Sequence, residues 1–204
     1  MMLRRDLLTS SMAVAAAPWF WGARQDRKAT PANIEGPYYK KGAPKSDTLV
    51  KDGDAGMPLV VEGKVEGVDG KALADATVDV WHADPDGKYD NDGFHFRAVV
   101  PVDKEGRYRF ETVLPGHYGI GGYGEKGDTM RPQHIHYKVG AAGHAELTTQ
   151  LYFETDPFFE TDPAKNLAKD PFVKFRQLVV PLLIERKKKV YVATGRFDIV
   201  LAKA

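Results

Sequence analysis

Residues 131–140, RPQHIHYKVG, alternate polar and apolar side chains in a way that predicts a half-buried strand. Side chains two positions apart on a strand share a face, so His134 and His136 are expected to lie side by side. Ile135 and Tyr137 are expected to point the other way, into a core. Two neighbouring imidazoles can ligate a metal ion, or they can simply belong to an exposed polar face. Other parts of the chain have to decide between these interpretations.

Beyond about residue 30, short runs rich in Val, Phe and Tyr are separated by turn signals such as Asp86-Gly87 and Pro115-Gly116. This pattern predicts an all-β fold, a two-sheet β-sandwich with little helix. The predicted strands are Leu59–Val68, Thr77–His82, Phe94–Val102, Arg107–Val113, Gln133–Val139, Glu146–Phe153, and Lys189–Leu201 with a break at Gly195. Weak helices are expected at Pro163–Lys169 and Pro171–Val180.

The composition narrows the class of protein. A chain of 204 residues with 43% hydrophobic side chains can form one substantial core with an N-terminal appendage. Its 29 Lys and Arg nearly cancel its 28 Asp and Glu, which argues against nucleic acid as a partner attracted by overall charge. The dense basic run Arg186–Lys189 is expected to form a solvated strand edge. Because cysteine is absent, a metal would need nitrogen and oxygen ligands.

Residues 1–25, MMLRRDLLTSSMAVAAAPWFWGARQ, have the pattern of an export signal. The apolar stretch that follows the arginines is too short for a stable membrane span. Arg4 and Arg5 resemble a twin-arginine signal, the bacterial route for proteins that are exported already folded. An ordinary secretory signal that happens to contain two arginines is the alternative. Either signal predicts an exported, periplasmic protein whose folded domain spans residues 30–204.

The sandwich pattern alone does not specify a function. Gly106–Phe110 and Leu114–Tyr118 resemble segments of extracellular sandwich modules that only bind or space. An exported β-sandwich binding module without redox activity is therefore the alternative to an enzyme. The polar residues have to distinguish these two classes.

Two tyrosines occur in glycine-flanked, loop-like settings, Tyr89 in DPDGKYDNDG and Tyr118 in LPGHYGIGGYG. Core tyrosines usually lie within strands and alternate with other apolar residues, which these two do not. The acidic loop from Asp84 to Asp92 lacks the spacing of a calcium loop, because a lysine and a tyrosine occupy positions that need an oxygen ligand and a glycine. The two tyrosines therefore join the histidine pair as candidate site residues.

Five stretches resemble the intradiol ring-cleavage dioxygenases, a family that includes catechol 1,2-dioxygenases and protocatechuate 3,4-dioxygenases. In the family's order they are IEGPYYKKGAP (34–44), VDVWHADPDGKYD (78–90), FHFRAVVPVDKEGRYRFETVLPGHYG (94–119), RPQHIHYKV (131–139) and LTTQLYF (147–153). They cover most of residues 33 to 153, so the resemblance is more specific than any one motif. It implies a β-sandwich that binds non-haem iron(III), and a small catechol-type substrate that reacts with O2.

The resemblance also implies roles for individual residues. The iron ligands carried over by motif are Tyr89, Tyr118, His134 and His136. Arg131 matches an arginine that stabilises negative charge on the substrate ring, and Gln150 matches the amide that accompanies it. Tyr118 matches the tyrosinate that leaves the metal when substrate binds. The implied product is a cis,cis-muconate, while the ring substituents and the choice between monomer and homo-oligomer stay open.

Overall fold

The computed structural model describes residues 27–119, 130–157, 170 and 172–204. These residues form two five-stranded sheets and a two-stranded ribbon, which confirms the predicted all-β class. The strands are β1 (Pro58–Gly67), β2 (Thr77–Trp81), β3 (Arg97–Val100), β4 (Arg107–Val113), β5 (Tyr118–Gly119), β6 (Met130–Arg131), β7 (His134–Gly140), β8 (Leu147–Phe153), β9 (Val179–Val180), β10 (Leu182–Lys187), β11 (Val190–Arg196) and β12 (Ile199–Leu201). The predicted export signal lies outside the described residues.

The two sheets differ in how their strands are paired. In the first sheet, β1 pairs with antiparallel β4 on one side and with parallel β11 and β12 on the other, and β10 pairs with β11. The second sheet has the order β3, β2, β7, β8, β9, so β7 is its central strand. The short ribbon joins β5 to β6 beside the second sheet's polar residues. β7, which carries the histidine pair, is therefore held between β2 and β8.

The core lies between the inner faces of the two sheets. The Tyr137 ring in β7 meets the rings of Tyr108 in β4 and of Phe197 between β11 and β12, with centroids 6.2 and 5.2 Å apart. Each of these three side chains is at most 3% exposed. Buried aliphatic side chains surround them: Leu59, Val61, Val65, Val78, Val80, Val100, Ile135, Val139, Leu151, Ile199 and Leu201. Removing this apolar surface from water is the main force that stabilises the sandwich.

The helix predicted at Pro171–Val180 is wrong for its described part. Arg176–Leu178 form only a 3-10 turn, and the chain then continues as β9. The two valines of β9 pair in parallel with the end of β8 and are buried. β-Branched residues suit a buried strand, and this pairing outweighs a helix too short to be stable by itself. The helix predicted at Pro163–Lys169 lies outside the described residues.

Two further local predictions have clear outcomes. The strand predicted to start at Phe94 starts at Arg97, because Phe96 has a left-handed backbone with φ 54° that interrupts extended pairing. The basic run Arg186–Lys189 is exposed at the turn between β10 and β11, as predicted. Within the described ranges, no helix is long and apolar enough to cross a membrane.

The last predicted strand is interrupted at Phe197 and Asp198 rather than at Gly195. The Phe197 N–H donates to the Glu62 carbonyl oxygen at 2.9 Å, and the Phe197 carbonyl accepts from the Tyr108 hydroxyl at 2.5 Å. This backbone passes directly over Gly63, where an added Cβ would lie 1.9 Å from the Phe197 carbonyl oxygen. The interruption therefore requires a residue without a side chain at position 63.

Replacing Gly63 with alanine should lower the free energy of unfolding by about 1–3 kcal/mol, because the methyl group meets backbone that cannot rotate away. Gly140→Ala is the matched control in β7, since a Cβ there would have no atom within 4 Å. That control should stay within about 0.5 kcal/mol of the parent protein. Urea denaturation measures both values, and equal stability of the two variants would contradict the close approach at Gly63.

Candidate metal centre

The second sheet directs its polar face towards one cluster of side chains. His134 and His136 lie side by side on β7, with ring centroids 4.9 Å apart, as the alternation predicts. Pairing with β8 places Tyr152 opposite His134 and Gln150 opposite His136. On the other side of β7, the Trp81 ring of β2 stacks on His136, with centroids 4.8 Å apart and planes within 9°. The imidazoles are thus embedded in a sheet surface with little freedom to rotate.

Tyr89 is held over this surface by the loop between β2 and β3. The Asp90 carboxylate accepts backbone N–H bonds from Asp92, Gly93 and His95 at 2.7 to 3.1 Å. Arg97 donates through Nε and Nη2 to the Asp90 carbonyl oxygen. The Asp90 carboxylate therefore organises the backbone of its own loop, a structural role that needs no calcium ion.

Tyr118 begins β5 and is brought to Tyr89 by a close backbone contact. An added Cβ at Gly87 would lie 2.0 Å from the His117 carbonyl oxygen, and Gly87 has a left-handed φ of 81°. Asp156, which is 3% exposed, ties down the same region. Its oxygens lie 3.0 Å from His117 Nε2, and one of them also accepts the Gln133 N–H. The segments before Tyr118 and before His134 are therefore fastened to one carboxylate.

The four side chains named by the resemblance converge. The Tyr118 hydroxyl oxygen lies 3.0 Å from His134 Nε2. The Tyr89 hydroxyl oxygen lies 3.1 Å from His136 Nε2, 3.4 Å from the Tyr118 hydroxyl and 3.5 Å from His134 Nε2. Two phenol oxygens and two imidazole nitrogens thus face one small volume.

The environment controls the protonation of these groups. Burial, followed by the nearby Arg131 guanidinium, holds the pKa values of His134 and His136 well below the usual range, so both imidazoles are neutral. His134 Nδ1 donates to the Pro132 carbonyl at 2.7 Å, which leaves the Nε2 lone pair directed at the cluster. Burial, followed by Tyr118, raises the pKa of Tyr89 well above its usual value. A cation at this point would have to displace the Tyr89 proton.

These donors fit a hard, highly charged metal ion. The described residues contain no group of three or more His, Cys, Asp or Glu side chains placed to hold a metal. A metal here would therefore depend on the phenol oxygens of Tyr89 and Tyr118. Phenolate oxygens combined with neutral imidazoles suit ferric iron, since anionic oxygen ligands stabilise its charge.

Arg131 and Gln150 lie next to the cluster and are not exposed, with 3% and 0% of their surface accessible. Arg131 Nη1 lies 3.2 Å from the Tyr118 hydroxyl and 3.1 Å from His134 Nε2. Gln150 accepts from Arg131 Nη2 at 2.8 Å and donates to the Ile34 carbonyl at 2.9 Å. The Gln150 amide is thus engaged within the protein and orients Arg131.

Three further residues border the site; Tyr38 belongs to the stretch IEGPYYKKGAP that resembles the family, whereas Tyr152 and Asp170 were not predicted as site residues. Tyr38 stacks on the Tyr89 ring, with centroids 4.2 Å apart, and covers it from outside. Tyr152 and Asp170 both bond to the Arg131 guanidinium. Tyr152 could have been found from its position two residues after Gln150 on the same strand face. No spacing rule points to Asp170.

The fold and the cluster together define a β-sandwich protein with a phenol and imidazole site on one sheet. Residues 34–203 match the family model described as Dioxygenase. The chain belongs to the intradiol ring-cleavage dioxygenase family.

Individual relatives agree with this assignment. The chain is 42% identical over 157 residues to a chlorocatechol 1,2-dioxygenase of Cupriavidus pinatubonensis, covering 69% of this chain and 60% of that protein. The dioxygenase domain of a dioxygenase and carbohydrate-binding protein fusion from Streptomyces sp. SirexAA-E has 34% identity and a TM-score of 0.68, over 87% of this chain and 100% of that chain. Catechol 1,2-dioxygenase from Acinetobacter sp. ADP1 has 30% identity and a TM-score of 0.73, and the match covers 86% of this chain and 63% of that chain. The chain thus spans about 60% of the length of the curated relative it matches.

Neutral buried histidines make the stability of the metal-free protein depend on pH. Burial lowers the pKa of His82 from 6.5 to about 4. Below pH 6.5 the unfolded chain takes up a proton that folded His82 does not, so stability falls from pH 6.5 down to about pH 4. In His82→Gln this part of the decline should be absent.

Urea denaturation at pH 8 and pH 5 measures the effect. At pH 8 His82 is neutral in both states, so the difference between the proteins reports only the lost contacts with Thr112 and Ala83. At pH 5 that difference should shrink by about 2 kcal/mol. If the two proteins differ in free energy of unfolding by the same amount at pH 8 and pH 5, His82 is not held neutral in the folded state.

Proposed function

We propose that this chain is a non-haem iron(III) intradiol dioxygenase. It would insert both atoms of O2 into a catechol-type ring and cleave the bond between the two hydroxylated carbons, giving a cis,cis-muconate-type product. The observation that carries the proposal is the convergence of the Tyr89 and Tyr118 hydroxyls with Nε2 of His134 and His136. Membership of the dioxygenase family supports the reaction class.

The proposed iron ligands are the four converging side chains. Ferric iron bound there would take the hydroxyl oxygens of catechol and draw electron density from the ring, preparing the ring for attack by dioxygen. Tyr118 would be the ligand whose oxygen also has a partner outside the ligand set, because Arg131 Nη1 donates to it, and this oxygen could accept one hydroxyl proton from catechol.

Arg131 would act on the substrate ring. Its guanidinium is buried, and its Nη1 end faces the Tyr118 oxygen and His134. Burial by itself would lower the pKa of Arg131, but Tyr152 and Asp170 outweigh it and raise that pKa, so the group stays charged. A fixed cation in a site shielded from water stabilises negative charge that develops on the ring. Tyr38, stacked on Tyr89, helps to exclude water from the outside.

The names of the relatives support a catechol or a substituted catechol as substrate. The relative with 42% identity is a chlorocatechol 1,2-dioxygenase, and a catechol 1,2-dioxygenase of Acinetobacter baylyi is 37% identical over 153 residues. Catechol itself is therefore the substrate with which to test the proposal first, followed by chlorinated catechols and protocatechuate.

Loading the purified protein with ferric iron should produce a visible tyrosinate-to-iron absorption band that shifts when catechol is added under nitrogen. Tyr89→Phe should lose this band or the iron itself, and its turnover, because it removes one of the two phenol oxygens. Tyr137→Phe is the matched control, since Tyr137 is a buried tyrosine beside His136 on β7 but faces the core. Absorption spectra, iron content and muconate formation in air measure these outcomes.

A protein that stays colourless with ferric iron and forms no muconate would contradict the proposal. That result would leave the binding module without redox activity as the function of the sandwich. Full turnover by Tyr89→Phe would instead remove only Tyr89 from the ligand set.

We also propose that the protein is exported through a twin-arginine signal. Replacing Arg4 and Arg5 with lysine should abolish export of the folded protein, because that route requires the arginine pair itself. An ordinary secretory signal needs only positive charge and should tolerate the change. Cell fractionation of the variant and of an Arg24→Lys control measures this, and unchanged export of both proteins would contradict the twin-arginine route.

A further inference from the structure

All three guanidinium nitrogens of Arg131 make contacts, and two of them bind residues outside the ligand set. Nε donates to an Asp170 carboxylate oxygen at 3.0 Å. Nη2 donates to the Gln150 side-chain oxygen at 2.8 Å and to the Tyr152 hydroxyl at 3.0 Å. Nη1 faces Tyr118 and His134. The contacts at Nε and Nη2 fix the plane of the guanidinium, and its Nη1 end is directed at the site.

Asp170 is itself fixed. It is 1% exposed, and its second carboxylate oxygen accepts the Phe172 N–H at 2.9 Å. The Phe172 ring covers the guanidinium, with its centroid 5.1 Å from Arg131 Cζ. The Phe172 carbonyl accepts from Asn33 Nδ2 at 2.8 Å. The carboxylate is therefore part of a packed assembly rather than a flexible surface partner.

Asp170 differs from the other two anchors in charge. Among the described residues, it is the only carboxylate in ion-pairing contact with Arg131. Gln150 and Tyr152 are both on β8 and bind Nη2, whereas Asp170 comes from a separate segment of the chain and binds Nε. Without this carboxylate, the buried cation would pivot on its Nη2 contacts and be drawn towards the phenol oxygens of the site.

We propose that Asp170 is a positioning residue that acts through Arg131, holding Nη1 at the point where charge develops on the substrate ring. This inference rests on the proposed dioxygenase function, and it adds to that function a residue outside the ligand set. Asp170 does not touch the cluster of ligand atoms in any described contact, so its effect on the reaction passes through the guanidinium.

A double-mutant cycle tests this on the iron-loaded protein. Asp170→Asn keeps the shape of the side chain and removes its charge, and it should lower kcat for catechol about 10-fold, with a smaller change in KM. In an Arg131→Met background the same change should alter kcat by less than about 2-fold, because no guanidinium is left to position. Iron content and the tyrosinate band should remain those of the parent protein.

Asp156→Asn is the matched control, because Asp156 is also a buried aspartate beside the site but contacts His117 and the Gln133 N–H. Asp156→Asn should change kcat by the same factor whether position 131 is arginine or methionine. An equal factor for Asp170→Asn in both backgrounds, or loss of iron on that change, would show a merely structural role and overturn the inference.

The metal-free chain provides a readout independent of turnover. The Nε–H of Arg131 should give an NMR signal protected from solvent exchange, and this protection should be lost in Asp170→Ala, which has no oxygen to accept that proton, but kept in Asp156→Ala. If the Nε–H stays protected in Asp170→Ala, the positioning role is overturned, whatever reaction the protein catalyses. A different result would count against the proposed function itself. If the Nε–H is protected in the parent protein but that protein forms neither the tyrosinate band nor muconate, the dioxygenase function is overturned, and with it a role for Asp170 in that reaction.

Discussion

The register between β7 and β8 is the constraint on which the site depends. It places His134 opposite Tyr152 and His136 opposite Gln150, so four polar side chains share one sheet face. A slip of one residue would turn both imidazoles into the core and bring Ile135 to the site. Because burying the apolar face of β7 is strongly favourable, the slip is excluded. The same alternation therefore builds the core and aims the histidines.

Strand register supplies only half of the donor set, since the two tyrosines come from outside the second sheet. Their positions depend on backbone contacts. The Tyr89 loop packs at Gly87 against the His117 backbone, and Arg97 donates two hydrogen bonds to the Asp90 carbonyl oxygen of that loop. Side chains fixed by such contacts need little reordering when a metal binds. Convergence of four donor atoms from β7, from β5 and from the loop between β2 and β3 is thus a property of the whole fold.

The sequence predicted those parts of the structure that depend on local pattern. Alternation in β7 located the imidazole pair, and glycine-flanked settings singled out Tyr89 and Tyr118. The pattern failed where the decisive partner is distant. Val179 and Val180 form a strand because β8 offers them a parallel edge, which local propensity cannot reveal. Asp170 lies 39 residues from Arg131 in a segment without periodicity, so their pairing could not be predicted.

Stability and function are divided between the two faces of the second sheet. The inner face buries apolar side chains and stabilises the sandwich. The other face buries neutral imidazoles and an ion pair, Arg131 with Asp170, and such groups contribute little to stability because removing them from water costs free energy. A ligand that binds only the folded state stabilises that state, and a cation shared by four donors would do so strongly. If iron binds there as proposed, the metal would supply the stabilisation that the polar face lacks by itself.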